Sequence, residues 1–232
     1  MSTPERVKQQ IDGIVGYLVE IGLASDQNFG FRRDGARGSV EITFPQAEHI
    51  SIALKDRAYR EIYRHLARER SFNVMFPDGA LVQMMYAFSG GSLERHRLAF
   101  FPAPHLEEFQ NNPDIYLEDE VYADVVARNI VPFPLRFDFD GREGVHKPVD
   151  HPRSHLTLGQ YENCRIPVSS AISPHWFMSF VLRNFYHTTF HRYAEGLPKT
   201  KATSGMSWRR DGSAASPPRT AALHTAAPIP RA

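Results

Sequence analysis

One cysteine, Cys164, stands in a chain of 232 residues. It leaves no partner for an internal disulfide and cannot supply a multi-cysteine zinc site. Long apolar runs are missing as well, with nothing approaching the roughly 20 residues that a membrane helix needs. The N-terminal residues MSTPERVKQQ are polar and lack the apolar core of an export signal. A cytoplasmic, bacterial-type location without a membrane partner is therefore expected. There is no Walker glycine loop and no Gly-x-Gly-x-x-Gly after a strand, so any energy coupling has to come from a partner. No internal repeat marks a solenoid. At 42% hydrophobic, 23% charged and a formal charge of +1, the composition excludes collagen-like, wholly disordered and membrane-spanning classes. A chain of this length buries roughly 70% of its unfolded surface, enough for one substantial core.

Composition changes at Gly196. From there to Ala232 the chain is rich in Pro, Ser, Thr, Ala and Gly and follows neither helical nor strand periodicity. We expect one domain over residues 1–195 and a disordered tail over 196–232. Six Lys and Arg against Asp211 give this tail +5, which leaves the rest of the chain at −4. Lys199, Lys201, Arg209 and Arg210 are thus candidates for non-specific nucleic-acid contact through counterion release, or for a solubilising extension.

What is present is a mixed pattern of elements. Val7, Ile11, Ile14, Val15, Leu18 and Ile21 recur at three- and four-residue steps, so a helix is expected over 3–24 with Thr3 as cap and Pro4 in the first turn. SVEITF (39–44) and ISIAL (50–54) read as strands, and 56–69 as a helix capped by Asp56. FNVMF ends at the turn Pro77-Asp78-Gly79. ALVQMMYAF then meets LERHRLAFF across a four-residue hairpin loop, Ser89-Gly90-Gly91-Ser92. Two helical pieces fall within 105–129. PLRFDFD, HLTLGQY and CRIPV are strands, and one long helix runs from Ser173-Pro174. The order favours an α+β fold: a largely antiparallel sheet with helices packed mainly on one face.

Two strands carry chemistry-bearing rows. In Leu135–Asp140, alternation puts Leu135, Phe137 and Phe139 on one face and Arg136, Asp138 and Asp140 on the other. In the next strand His155 and Thr157 share a face. If the two strands pair across the loop 141–154, an arginine, two carboxylates, an imidazole and a hydroxyl meet, with His146 and His151 on the loop. Such a set can hold Mg²⁺ or Mn²⁺ through Asp138 and Asp140. It can equally run metal-free phosphoryl chemistry, with His155 as general acid or base and Arg136 on phosphate. Cross-strand Arg–Asp pairing on an outward face accounts for the same row without function. Arg95 and Arg97 share a face of the preceding hairpin, with His96 on the other, and form a candidate phosphate clamp. Asp78 is read as turn chemistry and Cys164 as a buried strand thiol.

DGALVQMMYAF (78–88), HRLAFFPAP (96–104), YLEDEVYAD (116–124), RFDFD (136–140), HPRSHLTLGQYENCRIPV (151–168) and FVLRNFY (180–186) together resemble the bacterial domain-of-unknown-function family 2290. The resemblance transfers no catalytic residue. What it implies is context, since members are found beside superfamily 1 type helicases in two-gene systems that protect bacteria from phage. The expectation is thus a defence component acting on nucleic acid beside a helicase, as a nuclease with Arg136, Asp138, Asp140 and His155 as its site. The alternative is a non-catalytic recruitment module using Arg95, Arg97 and the tail.

Overall fold

The Gly90-Gly91 hairpin organises the sheet. The structure, a computed structural model, describes residues 3–47, 57–104, 133–147, 151–161 and 164–199. Strands β5 (Leu81–Ser89) and β6 (Ser92–Phe101) pair from Leu81↔Phe101 to Ser89↔Ser92. The expected four-residue loop is tighter than the sequence suggests. Both serines join the ladder and Gly90-Gly91 alone turn the chain, at φ of 56° and 78°, the positive values that a type I′ turn demands of both central residues. A bulge between Ala87 and Phe88 leaves Glu94 as the extra residue.

Around this hairpin lies a nine-stranded sheet in which every pairing is antiparallel. Beyond β6 come β7 (Leu135–Asp140), β8 (Ser154–Leu158) and the short β9 (Ile166–Pro167). The other edge of β5 is shared end to end by β4 (Val74–Met75) and β3 (Val40–Thr43). Two strands that the hydrophobic pattern did not disclose complete it: β1 (Asp26–Gln27) on β4, and β2 (Phe31–Asp34) on β3. Both are short and neither holds a buried residue, so no buried face imprints an alternation on them.

Helix α1 (Pro4–Glu20) is capped by Thr3, whose hydroxyl accepts from Arg6 N–H, and buries Val7, Ile11, Ile14, Val15 and Leu18. It packs with α3 (Pro174–Phe185) on the face formed by Val82, Met84, Leu98, Phe100, Leu135 and Phe137. The last helix is divided. Tyr186 interrupts it at φ −137°, ψ 62°, and α4 (His187–Tyr193) follows. Its buried ring packs edge-on to Phe76 at 4.8 Å and its hydroxyl donates to Asp78 Oδ2 at 2.7 Å, so tertiary contacts set the break. Asn184, although spaced with Phe177, Phe180 and Val181 along one helical stripe, is exposed and donates to the Phe180 carbonyl. Asp78, with Oδ1 accepting from Ala80 N–H, serves the turn at Gly79 as expected.

Helix α2 (Tyr59–Arg68) covers the other face of the sheet at one end only, where Ile62, Leu66, Phe72, Leu81, Ala99 and Phe101 make a second, smaller core. Its N-cap is Ala58, without a side-chain bond. Asp56, the strand expected at 50–54, the helices expected at 105–129 and the tail from residue 200 onward lie outside the described residues. The described residues form one compact unit. Among the described residues no helix is long and apolar enough to cross a membrane.

Candidate functional site

The face that α2 leaves uncovered is polar, and strand register determines what meets there. β6 and β7 pair Arg95 with Asp140 and Arg97 with Asp138, while β7 and β8 pair Asp138 with His155 and Arg136 with Thr157. Partners across an antiparallel ladder point to the same side. Arg97, Asp138 and His155 therefore form one row across three strands, with the Arg95–Asp140 pair on one side and the Arg136–Thr157 pair on the other. The pairing of 135–140 with 154–158, on which the site expectation depended, is thus present. The row lines a cleft of about 360 Å³, to which Glu41, Arg142, His151 and Arg165 also contribute.

Asp138 is the hub. Its Oδ1 accepts from Arg97 Nε at 3.1 Å and its Oδ2 from Arg136 Nε at 2.5 Å. Burial works against ionisation of this carboxyl, but the two guanidinium groups outweigh it and hold Asp138 below the usual carboxylate range. Asp140 has its own cation: Arg142 grips both carboxylate oxygens, with Nη2 at 2.6 Å from Oδ2, and lowers its pKa through that bond. Aspartate is rare within strands, and guanidinium pairing is what makes two of them tolerable here.

His155 is 5% exposed. Its Nδ1 lies 3.1 Å from the Pro152 carbonyl. A carbonyl oxygen only accepts, so Nδ1 carries the proton and Nε2 keeps the lone pair. That nitrogen sits 3.9 Å from Asp138 Oδ2, beyond hydrogen-bond length. Desolvation lowers the His155 pKa, against the pull of the Pro152 carbonyl and Asp138, so the ring is neutral at neutral pH and Nε2 carries the lone pair. Such a group is suited to taking a proton.

The cleft is cationic. Among the described residues that line it, five arginines (Arg95, Arg97, Arg136, Arg142 and Arg165) face Glu41, Asp138 and Asp140, a formal charge of +2 with the histidines counted as neutral. Among the described residues no group of three or more His, Cys, Asp or Glu is placed to hold a metal ion. Asp138 and Asp140, the expected metal pair, instead have their lone pairs directed at guanidinium groups. The arrangement favours an anion bearing several acceptor oxygens, for which arginine forks are the natural partner.

A model of the family of uncharacterized conserved proteins DUF2290 matches residues 23–210. The chain belongs to that family. No curated protein and no solved structure matches this DUF2290 chain. The match spans the whole cleft, from Glu41 to Arg165.

The nucleic-acid candidates of this DUF2290 protein divide by position. Arg95 and Arg97 join the row, so clamp and catalytic candidates are one site rather than two. Lys199 lies elsewhere: the preceding Pro198 accepts from Gln10 of α1, on the opposite face of the sheet, and Lys199 acts on His175. Lys201, Arg209 and Arg210 lie outside the described residues. His96, on the other side of β6 as expected, is buried, its Nε2 accepting from Ile172 N–H at 2.9 Å. Arg142, Arg165 and Glu41 were not anticipated. For Arg142 a signal existed, since one residue separates it from Asp140 across Gly141. Glu41 arrives on β3 and Arg165 from the irregular segment just before β9, and no local pattern marks them.

Proposed function

We propose that this protein is a nuclease that acts on nucleic acid in the cleft, as the effector of a bacterial antiphage defence system working beside a helicase. The observation that carries the nuclease reading is the row Arg97–Asp138–His155 with Arg136 beside it. It sets a neutral imidazole with a basic Nε2 next to guanidinium groups held rigidly by a shared carboxylate. His155 takes the proton of the attacking oxygen. Arg97 and Arg136 meet the phosphoryl oxygens, where negative charge grows in the transition state. Asp138 and Asp140 orient arginines, and their pairing supports chemistry run by His155 and the arginines rather than by Mg²⁺ or Mn²⁺ on those carboxylates. The bacterial, defence and helicase context rests on the sequence resemblance.

Purified protein should cleave at least one of end-labelled single-stranded RNA, single-stranded DNA and duplex DNA, tested with and without Mg²⁺ or Mn²⁺. His155→Ala should lower the rate by about 10²–10⁴-fold, the usual contribution of a general base, with thermal stability and binding preserved. A second reading is favoured by the merging of Arg95 and Arg97 into the same cleft: a non-catalytic module that binds nucleic acid or a helicase. It predicts binding lost on Arg95→Gln or Arg97→Gln and no cleavage under any condition.

A further inference from the structure

His155 has a companion that the proposed nuclease reading leaves unused. His151 opens the segment leading into β8, and its backbone is bound on both sides: Lys147 and His151 exchange reciprocal N–H to carbonyl bonds, each 3.0 Å. His146 Nδ1–H adds a third donor, to the His151 carbonyl at 3.2 Å. The His151 ring is pinned in turn, its Nδ1–H donating to the Val145 carbonyl at 3.0 Å. The same logic that settled His155 settles His151: a carbonyl partner requires the proton on Nδ1, so Nε2 is the exchanging nitrogen. Both rings line the cleft, with centroids 5.5 Å apart. Two imidazoles, each held in one tautomer by a backbone carbonyl, thus sit side by side next to an arginine cluster.

The chemistry then selects the substrate. Both aspartates are occupied by guanidinium groups in a cleft whose described lining carries a formal charge of +2, so a divalent ion would have to displace arginines in order to bind and activate water. A substrate that carries its own nucleophile needs no such ion, because a hydroxyl adjacent to the phosphorus has a high effective concentration. Ribose has that hydroxyl and deoxyribose lacks it.

We infer that the cleft cleaves RNA by metal-independent transesterification, with His155 as base and His151 as acid; this rests on the nuclease reading above. The 2′-oxygen attacks phosphorus as its proton passes to His155 Nε2, forming the P–O2′ bond. The P–O5′ bond breaks, and the 5′-oxygen leaves with the proton of protonated His151 Nε2. The products are a 2′,3′-cyclic phosphate and a 5′-hydroxyl, and exchange with water resets both rings. Arg97 and Arg136 carry the charge that develops on the non-bridging oxygens.

The test uses the full chain in excess EDTA with three end-labelled probes: an RNA oligonucleotide, its DNA counterpart, and that DNA with one ribonucleotide. The RNA should be cut, the DNA left intact, and the chimera cut only 3′ of its ribonucleotide, with cyclic-phosphate and 5′-hydroxyl ends. A 2′-O-methyl at that position should abolish cutting, a result that requires no variant. His151→Ala should lose about 10²–10⁴-fold in rate. A chimera whose bridging 5′-oxygen is replaced by sulfur, a leaving group that needs no acid, should recover most of that loss for His151→Ala but not for His155→Ala. Merely structural damage would not be rescued in this way. Cleavage that needs Mg²⁺ or Mn²⁺, yields 5′-phosphates or cuts DNA equally overturns the inference while the nuclease reading stands. Rescue that fails for His151→Ala overturns its role as acid. Absence of cleavage on every probe, with and without metal, overturns both.

Discussion

One face of the sheet is two different surfaces along the same strands. On β6, Ala99 and Phe101 lie against Leu66 and Phe72 beneath α2, while Arg97 and Arg95, on the same side and two and four residues earlier, line the cleft. On β5, Leu81 belongs to the apolar end and Ala87 to the polar one. Strand geometry is identical at both ends; what differs is the cover. Where α2 lies, the sheet face is excluded from water and its side chains are apolar or hydrogen-bonded, as Gln83 is through Nε2 to the Ser71 carbonyl at 2.5 Å. Where α2 is absent, charge persists as a network in which Asp138 and Asp140 each have a guanidinium. Among the described residues, the polar cleft is the part of this face that α2 does not reach.

The comparison can be broken at either end. The largest effect is expected at the covered end, where Phe72→Ala removes a wholly buried ring and should cost about 3–5 kcal/mol in chemical denaturation. A loss below about 1 kcal/mol would mean that α2 is not a true core cover. Next comes His96, behind the polar end, where burial lowers the pKa from 6.5 to about 4. Between those values the unfolded chain takes up a proton that the native state refuses. The stabilisation is full above pH 6.5 and is lost as pH falls toward 4, by roughly 3 kcal/mol in all. Thermal midpoints should therefore fall across that window, and His96→Phe, which also orphans Ile172 N–H, should flatten the slope. An unchanged slope in that variant would place the acid sensitivity elsewhere.

Asp138→Ala removes the hub and leaves Arg97 and Arg136 facing each other, with an expected cost of about 1–3 kcal/mol and loss of cleavage. A full loss of activity with no loss of stability would show that the network serves chemistry alone. Smallest is Arg95→Gln at the exposed rim, within about 0.5 kcal/mol of the parent protein in stability. Its effect belongs in the salt dependence of nucleic-acid binding, where the slope should fall by about 1 if Arg95 meets one phosphate.

How much of this was legible beforehand differs by residue. Arg136, Asp138 and His155 could be assigned to faces from alternation alone, because successive strand side chains point opposite ways whatever the strand's neighbours. The role of Thr3 as cap and the α1 stripe were equally local. The Gly90-Gly91 turn was visible as a hairpin but not in its tightness, since pairing of Ser89 with Ser92 depends on the bulge beside it. The break at Tyr186 was hidden because the periodicity on either side is helical and the cause, a bond to Asp78, lies 108 residues away.

Two aspartates in one strand looked equally like a metal pair or a salt-bridge row. That ambiguity could not be resolved within β7, because the deciding partners, Arg97 and Arg142, sit outside it. The chain's own order of residues determined the antiparallel α+β class, the amphipathic helices and which side chains share a strand face, all consequences of backbone periodicity. Tertiary structure alone decided which rows became neighbours, which end α2 would cover, and that a bridged loop would set His151 beside His155. Those outcomes depend on contacts between distant segments, whose free energy no local pattern carries.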